Sequence, residues 1–126
     1  MAGVETQEHD IESGIIFGAE YEDAVIASGQ GVVKGLTVLS YDDQTRKYTV
    51  CTSGGSNPDT ATAPSCLVAV NGEVNATASD KMTRILIKGE VDINKVIYEG
   101  GDIHDIKVAL RDKGIILRKT TATTIL

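Results

Sequence analysis

Short apolar runs separated by polar turns follow one another along most of the chain and predict β-strands. The runs that predict strands are 15–17, 24–27, 32–33, 36–39, 47–51, 66–70, 82–91 and 115–117. The polar residues 41–44 separate two of these runs, which predicts a β-hairpin. Gly89 interrupts the run 82–91 and indicates a β-bulge. Residues 52–64 are poor in large apolar side chains and predict a surface loop.

One segment has the pattern of an α-helix. Asp102 is a candidate N-cap, and Asp105 follows three residues later in a variant of the capping-box spacing. The apolar residues on one face of this helix are Ile103, Ile106 and Leu110. Gly114 is placed for the left-handed conformation that ends many helices. The sequence therefore predicts a mainly β fold with one late helix.

The length and composition indicate one domain with an aliphatic core. The chain has 126 residues, no Trp and a single Phe, Phe17. Such a core is thin, so burial against sister subunits would help. Because the start of the chain lacks the features of a signal peptide, we expect synthesis in the cytoplasm, no membrane association, and Cys51 and Cys66 as thiols.

Acidic residues are concentrated at the start of the chain. Those preceding the first basic residue, Lys34, are Glu5, Glu8, Asp10, Glu12, Glu20, Glu22 and Asp23. The rest of the chain carries 11 acidic and 12 basic side chains. We expect residues 1–20 to form a flexible acidic arm and residues 21–126 a single β-rich domain. The arm disfavours direct nucleic-acid binding and would be attracted by a basic protein surface, or it only solubilises the terminus.

No residue pattern typical of catalysis or metal binding is present in the sequence. His9 and His104 have no second ligand at a metal-site spacing, and the two cysteines do not form a CxxC motif. The chain also lacks GxSxG, P-loop and GxGxxG motifs. Adjacent carboxylates such as Asp42 and Asp43 are expected to be surface charges. We therefore expect no catalytic residue, no metal and no cofactor.

Four blocks of sequence resemble, in the same order, the phage head decoration proteins of the lambda protein D family. They are GQGVVKGLTVL at 29–39, YDDQTRKYTV at 41–50, the paired runs CLVAV and RILIKGEV within 66–91, and ALRDKGIILR at 109–118. The likeness covers residues 25–118, whereas residues 1–20 depart from the family most. It implies a small β-rich decoration domain that binds the major capsid protein as a homotrimer. The location it implies is the exterior of the virion, at three-fold positions of the expanded shell.

Ile15, Ile16 and Phe17 are the candidate capsid-binding residues, because they form an apolar patch within an acidic stretch. An arm of this kind can add a strand to an exposed sheet edge of the shell. Three arms in one trimer would raise the avidity by roughly 10² to 10⁴ if all engage at once.

The alternative is a β-barrel carrier or adaptor module of the biotinyl or lipoyl type, because residues 33–38 also resemble a turn of such domains. Carrier domains need a modifiable lysine at a hairpin tip. Lys81, between Asp80 and Met82, is the one candidate. An enzyme of unrecognised type is a third possibility, which a substrate screen would test.

Overall fold

The computed structural model describes residues 14–52 and 63–119, and these residues are mainly in strands. The elements are β1 (Ile15–Ile26), β2 (Gly31–Lys34), β3 (Val38–Asp42), β4 (Lys47–Val50), β5 (Cys66–Val68), β6 (Glu73–Ala76), β7 (Lys81–Asp92), a 3-10 turn (Ile93–Lys95), α1 (Ile103–Arg111) and β8 (Ile115–Arg118). The prediction of a mainly β fold with one late helix is confirmed for this part of the chain.

Five strands close into a small barrel. β7 pairs with β1 on one edge and with β5 on the other, and β3 lies between β5 and β4. A parallel bridge between Ile26 of β1 and Tyr48 of β4 completes the ring. β8 adds a sixth strand to the sheet by pairing in parallel with residues 89–92, at the end of β7. β2 and β6 form a separate two-stranded antiparallel sheet.

The interior is aliphatic, as the scarcity of aromatic residues predicts. The largest fully buried side chains are Ile26, Leu39, Leu67, Ile85, Leu86, Ile106, Leu110, Ile115, Leu117, Val38, Val68 and Val91. No aromatic side chain is buried within residues 14–52 and 63–119. The core is therefore built from branched aliphatic side chains of the barrel strands, extended by α1 and β8.

The predicted hairpin and helix are both confirmed. β3 and β4 pair in antiparallel register from Leu39 opposite Val50 to Asp42 opposite Lys47. At the start of α1, the Asp102 Oδ1 accepts a hydrogen bond of 2.7 Å from the His104 backbone N–H. This bond satisfies one of the amides that the first helical turn leaves without an intrahelical acceptor. The helix buries Ile106 and Leu110, two of the three residues on its predicted apolar face.

The start of the domain differs from the prediction. Two short edge strands and an arm that ends at residue 20 were expected, but residues 15–26 are one strand of 12 residues. Antiparallel pairing with β7 holds this strand along its length. Because most of its side chains are exposed, charged residues such as Glu20 and Glu22 are compatible with it. Residues 15–20 thus belong to the sheet, and residues 1–13 lie outside the described residues.

Two other segments also differ from the sequence pattern. Residues 73–76 form β6, which pairs with β2. The sequence pattern shows only a polar stretch there, because Ala76 is the one fully buried residue of this strand. Leu36 was expected to begin a strand, but its φ is +65° and β3 begins at Val38. The Leu36 N–H donates a 2.7 Å hydrogen bond to the Val68 carbonyl, which holds this turn against β5. Most of the predicted loop 52–64 lies outside the described residues.

Candidate interaction surface

A β-bulge in β1 lies directly opposite Gly89 of β7. Phe17 is opposite Glu90 and Glu20 is opposite Lys88, so Gly18 and Ala19 face Gly89 together. The sequence-based expectation of a bulge at Gly89 is confirmed, with the extra residue on the partner strand. A Cβ atom on Gly89 would lie 2.9 Å from the Ala19 Cα, and the φ of Gly89 is +138°. Only glycine combines this conformation with such a close approach of the two backbones.

The bulge forms one side of a shallow groove across β1, β7 and β8. Its lining residues, which we call the Phe17 groove, are Phe17, Gly18, Lys88, Gly89, Glu90, Gly114 and Ile116. The volume of the groove is about 210 Å³. Phe17 is 71% exposed, the highest value among the large apolar side chains of the described residues. Since the three glycines carry no side chain, the backbone forms much of the floor and Phe17 and Ile116 supply the apolar walls.

Two ion pairs neutralise the charges beside this groove. The Lys88 Nζ lies 3.8 Å from the Glu20 Oε2 of β1. The Arg118 Nε of β8 donates a 2.8 Å hydrogen bond to the Glu90 Oε1. Exposed pairs of this kind add little to folding stability. The two pairs connect β7 to β1 and to β8. The charged side chains around the apolar centre of the groove are therefore paired.

The three predicted capsid-binding residues are all part of β1 and are not in a separate arm. Ile15 is half-buried opposite Val91, whereas Ile16 is 42% exposed. One edge of β1 is already paired with β7. On its other edge, β1 has a strand partner within the described residues only at Ile26. A strand from another protein would therefore have to add at this second edge, beside Ile16 and Phe17.

A second groove lies between α1 and the 3-10 turn. Its lining residues, which we call the His104 groove, are Ile93, Asn94, Val96, Tyr98, Ile103, His104, Lys107 and Lys119. The volume is about 450 Å³, and no acidic side chain lines it. Tyr98 is 42% exposed. The sequence pattern did not reveal this groove, because its residues come from three separate segments of the chain, 93–98, 103–107 and residue 119.

The candidate residues for chemistry are distributed over the surface. His104 is exposed on the solvent side of α1, and His9 lies outside the described residues. The Asp42 carboxylate accepts a 2.9 Å hydrogen bond from the Gln44 N–H and stabilises the hairpin turn. Within residues 14–52 and 63–119, no group of three or more His, Cys, Asp or Glu residues is arranged to hold a metal ion.

Lys81, the lysine that a carrier domain would need, is the first residue of β7 and lies opposite Ile26 of β1. It is therefore a ladder residue and is not at the tip of a hairpin. The adjacent Asp80 carboxylate contacts the Lys47 Nζ at 2.7 Å and accepts the Ser28 N–H at 2.8 Å. The hydrogen bond from Lys47 and the bond from Ser28 lower the pKa of Asp80. Neither residue has the setting of a modification site.

The two cysteines are free thiols, as expected, and the structure buries both of them. Cys51 is 1% exposed and Cys66 is 2% exposed, and they do not form a disulfide. Burial raises the pKa of the Cys66 thiol, and the negative charge of Glu22 raises it further. The same two causes act on the half-buried Tyr48, whose pKa is raised to about 12 mainly by burial. The reactive thiolate form of Cys66 is therefore rare at neutral pH.

We expect neither cysteine to react with a thiol reagent such as dithionitrobenzoate in the native protein at pH 8, and both to react after unfolding in guanidinium chloride. The release of thionitrobenzoate, followed over minutes, measures this directly. The variant Val108→Cys is the positive control, because Val108 is 56% exposed on α1. Rapid reaction of the unmodified native protein would show that the barrel opens around one of the cysteines.

No helix within the described ranges is long and apolar enough to cross a bilayer.

Comparison of the chain with models of known protein families gives no match, and comparison with curated proteins gives none either. The likeness to decoration proteins therefore depends on the four sequence blocks and their order.

Proposed function

We propose that this protein is a capsid decoration protein. In this role it binds as a homotrimer to the outer surface of a phage head, at three-fold positions, and stabilises the shell. The observation that carries the proposal is the Phe17 groove, an exposed apolar surface on the same strand that the sequence nominates for capsid contact. The order of the four sequence blocks supplies the identity of the partner, the major capsid protein.

An exposed phenylalanine beside a glycine-floored groove is a suitable adhesive element. Burying a Phe side chain that is otherwise exposed contributes about 1.5–3 kcal/mol. The groove beside Phe17 admits a side chain of the partner, because Gly89 and Gly114 leave its floor open. Contacts of this kind stabilise a shell without any reacting group, since they add binding free energy that is absent when the protein dissociates.

The unpaired edge of β1 adds a second mode of contact. Along residues 21–25, where the pairing with β7 is regular, backbone N–H and C=O groups face away from β7 at alternate positions, and a strand of the shell can pair with them there. The sequence-based hypothesis of strand addition is thus retained in a modified form. The domain itself presents the edge, so no part of residues 15–20 has to become ordered on binding.

Assembly into a trimer multiplies each contact. A trimer carries three Phe17 grooves. After the first groove binds the shell, the second and third contacts form at a high effective concentration, which raises the avidity by roughly 10² to 10⁴. A loss of 1.4 kcal/mol at each contact reduces the affinity about tenfold per contact. A substitution at Phe17 is therefore magnified by the three-fold arrangement.

The test is a binding measurement with expanded, undecorated phage shells and the protein at several concentrations. Light scattering after size-exclusion chromatography first determines whether the protein is a trimer. We expect Phe17→Ser to leave the trimer and its stability unchanged, because Phe17 is 71% exposed, and to weaken shell binding by at least about tenfold. Co-sedimentation with the shells measures the bound fraction.

Met82→Ser is the matched control. Met82 is 69% exposed on β7 and does not line the groove, so its replacement should leave shell binding intact. A monomer that does not bind shells, or equal binding by the Phe17 and Met82 variants, would contradict the proposal. A mass increase at Lys81 in protein from the native host would instead support the carrier alternative.

A further inference from the structure

We infer that residues 1–13 of the chain dock in the His104 groove of the same molecule. This acidic segment and this groove are complementary in charge, position and apolar character. The inference concerns the isolated protein and does not depend on capsid binding.

The segment and the groove carry opposite charges. The acidic residues of the segment are Glu5, Glu8, Asp10 and Glu12, and it has no lysine or arginine. The groove is lined by Lys107, Lys119 and His104 and by no acidic side chain. No ion pair within 4.0 Å occupies either lysine in the described part of the chain. A groove of this charge favours an acidic peptide over a basic or neutral one.

The point at which the segment joins the domain lies next to the groove. A Cβ atom on Gly14 would lie 3.0 Å from the Lys95 Cβ, so residue 14 packs against the 3-10 turn Ile93–Lys95. Ile93 and Asn94 of that turn line the groove. The segment therefore leaves the domain directly beside the surface on which we place it. Its 13 residues can extend over roughly 40 Å, more than is needed to cross α1.

The groove also has apolar lining residues that suit the apolar residues of the segment. Ile93, Val96 and Ile103 supply aliphatic surface, and Tyr98 adds a ring that is 42% exposed. The segment carries Val4 and Ile11 among its acidic residues. In the docked arrangement, carboxylates of the segment pair with Lys107 and Lys119, while its aliphatic side chains contact the apolar surface of the groove. The tail 120–126 also begins at the groove, after Lys119, but the terminal carboxylate is its sole possible acidic group.

The experiment uses the full chain and the carbodiimide EDC, which joins a carboxylate to an amine only when the two are in direct contact. An equal mixture of ¹⁴N-labelled and ¹⁵N-labelled protein is treated at low salt, digested and analysed by mass spectrometry. We expect cross-links from Glu5, Glu8, Asp10 or Glu12 to Lys107 or Lys119, each within one isotopic species. Their yield should fall at 1 M salt, where charge interactions are screened within about 3 Å.

Two variants keep both lysines and so report docking itself. Tyr98→Glu places a negative charge in the groove, and we expect loss of these cross-links. Val108→Glu places the same charge on the exposed face of α1, outside the groove, and should retain them. Three results would overturn the inference: equal cross-linking of the segment to Lys81, links from the Leu126 carboxylate in place of the acidic segment, or links that join ¹⁴N to ¹⁵N chains.

Discussion

Replacing Gly89 by alanine is expected to lower the free energy of unfolding by roughly 2–5 kcal/mol, a large share of the stability of a domain of this size. The reason has two parts. The φ of +138° is strained for any residue with a Cβ atom, and that Cβ would lie 2.9 Å from the Ala19 Cα in the neighbouring strand. Either β1 moves away, which opens the barrel, or the strain remains in the native state. Urea unfolding followed by circular dichroism measures the change.

Gly72→Ala is the matched control for this prediction. Gly72 has a φ of +82°, but a Cβ atom there would have no neighbour within 4 Å. This variant therefore carries the backbone strain alone and should cost about 1–2 kcal/mol. The difference between the two variants isolates the close approach of β1 and β7. Equal urea midpoints would show that the bulge in β1 relaxes without cost and that Gly89 is not required for it.

Replacing Leu110 by alanine is expected to cost about 2–5 kcal/mol, because it leaves a cavity in the core between α1 and the sheet. Leu110 is fully buried in the last turn of α1, which packs against β8. The thin aliphatic core has no large aromatic side chain that could move into the space. The same urea experiment measures the loss, and a reduced unfolding midpoint with an unchanged slope would indicate a change in stability alone.

Val108→Ala tests whether the effect of Leu110 arises from burial. Val108 lies on the same helix and is 56% exposed, so its replacement should change the free energy of unfolding by at most about 0.5 kcal/mol. Alanine also has a higher helix propensity than valine, which favours a small gain. If the two variants were equally destabilised, helix formation and not core packing would determine the stability of this region.

The elements that the sequence predicts well are those whose signals are local. Asp102, the apolar face of α1 and Gly114 mark the start, the buried side and the end of the helix within 13 residues. The hairpin of β3 and β4 is marked in the same way by a polar turn between two β-rich runs. In these segments the capping bond, the turn and the periodicity all involve residues that are close in the chain.

The first strand shows where this reasoning fails. Glu20, Tyr21, Glu22 and Asp23 interrupt the apolar runs and predict a break between two short strands, yet they lie in the middle of β1. What holds them is the backbone ladder to β7, about 60 residues away in the chain, and this ladder does not require apolar side chains. Ile16 and Phe17 are exposed, but the continuous strand that attaches them to the domain was not predicted, because residues 1–20 were expected to form an arm.

By itself, the sequence determined the β-rich class, the aliphatic composition of the core, the helix with its caps and the irregularity of the sheet at Gly89. Each of these depends on residue type and local spacing. Only the tertiary structure decided that β1 closes the barrel, that Phe17 lines a groove with three glycines, that both cysteines are buried, and that Lys107 and Lys119 line one groove beside the 3-10 turn. These features depend on which distant strands pair, and pairing is governed by backbone hydrogen bonds that residue patterns do not record.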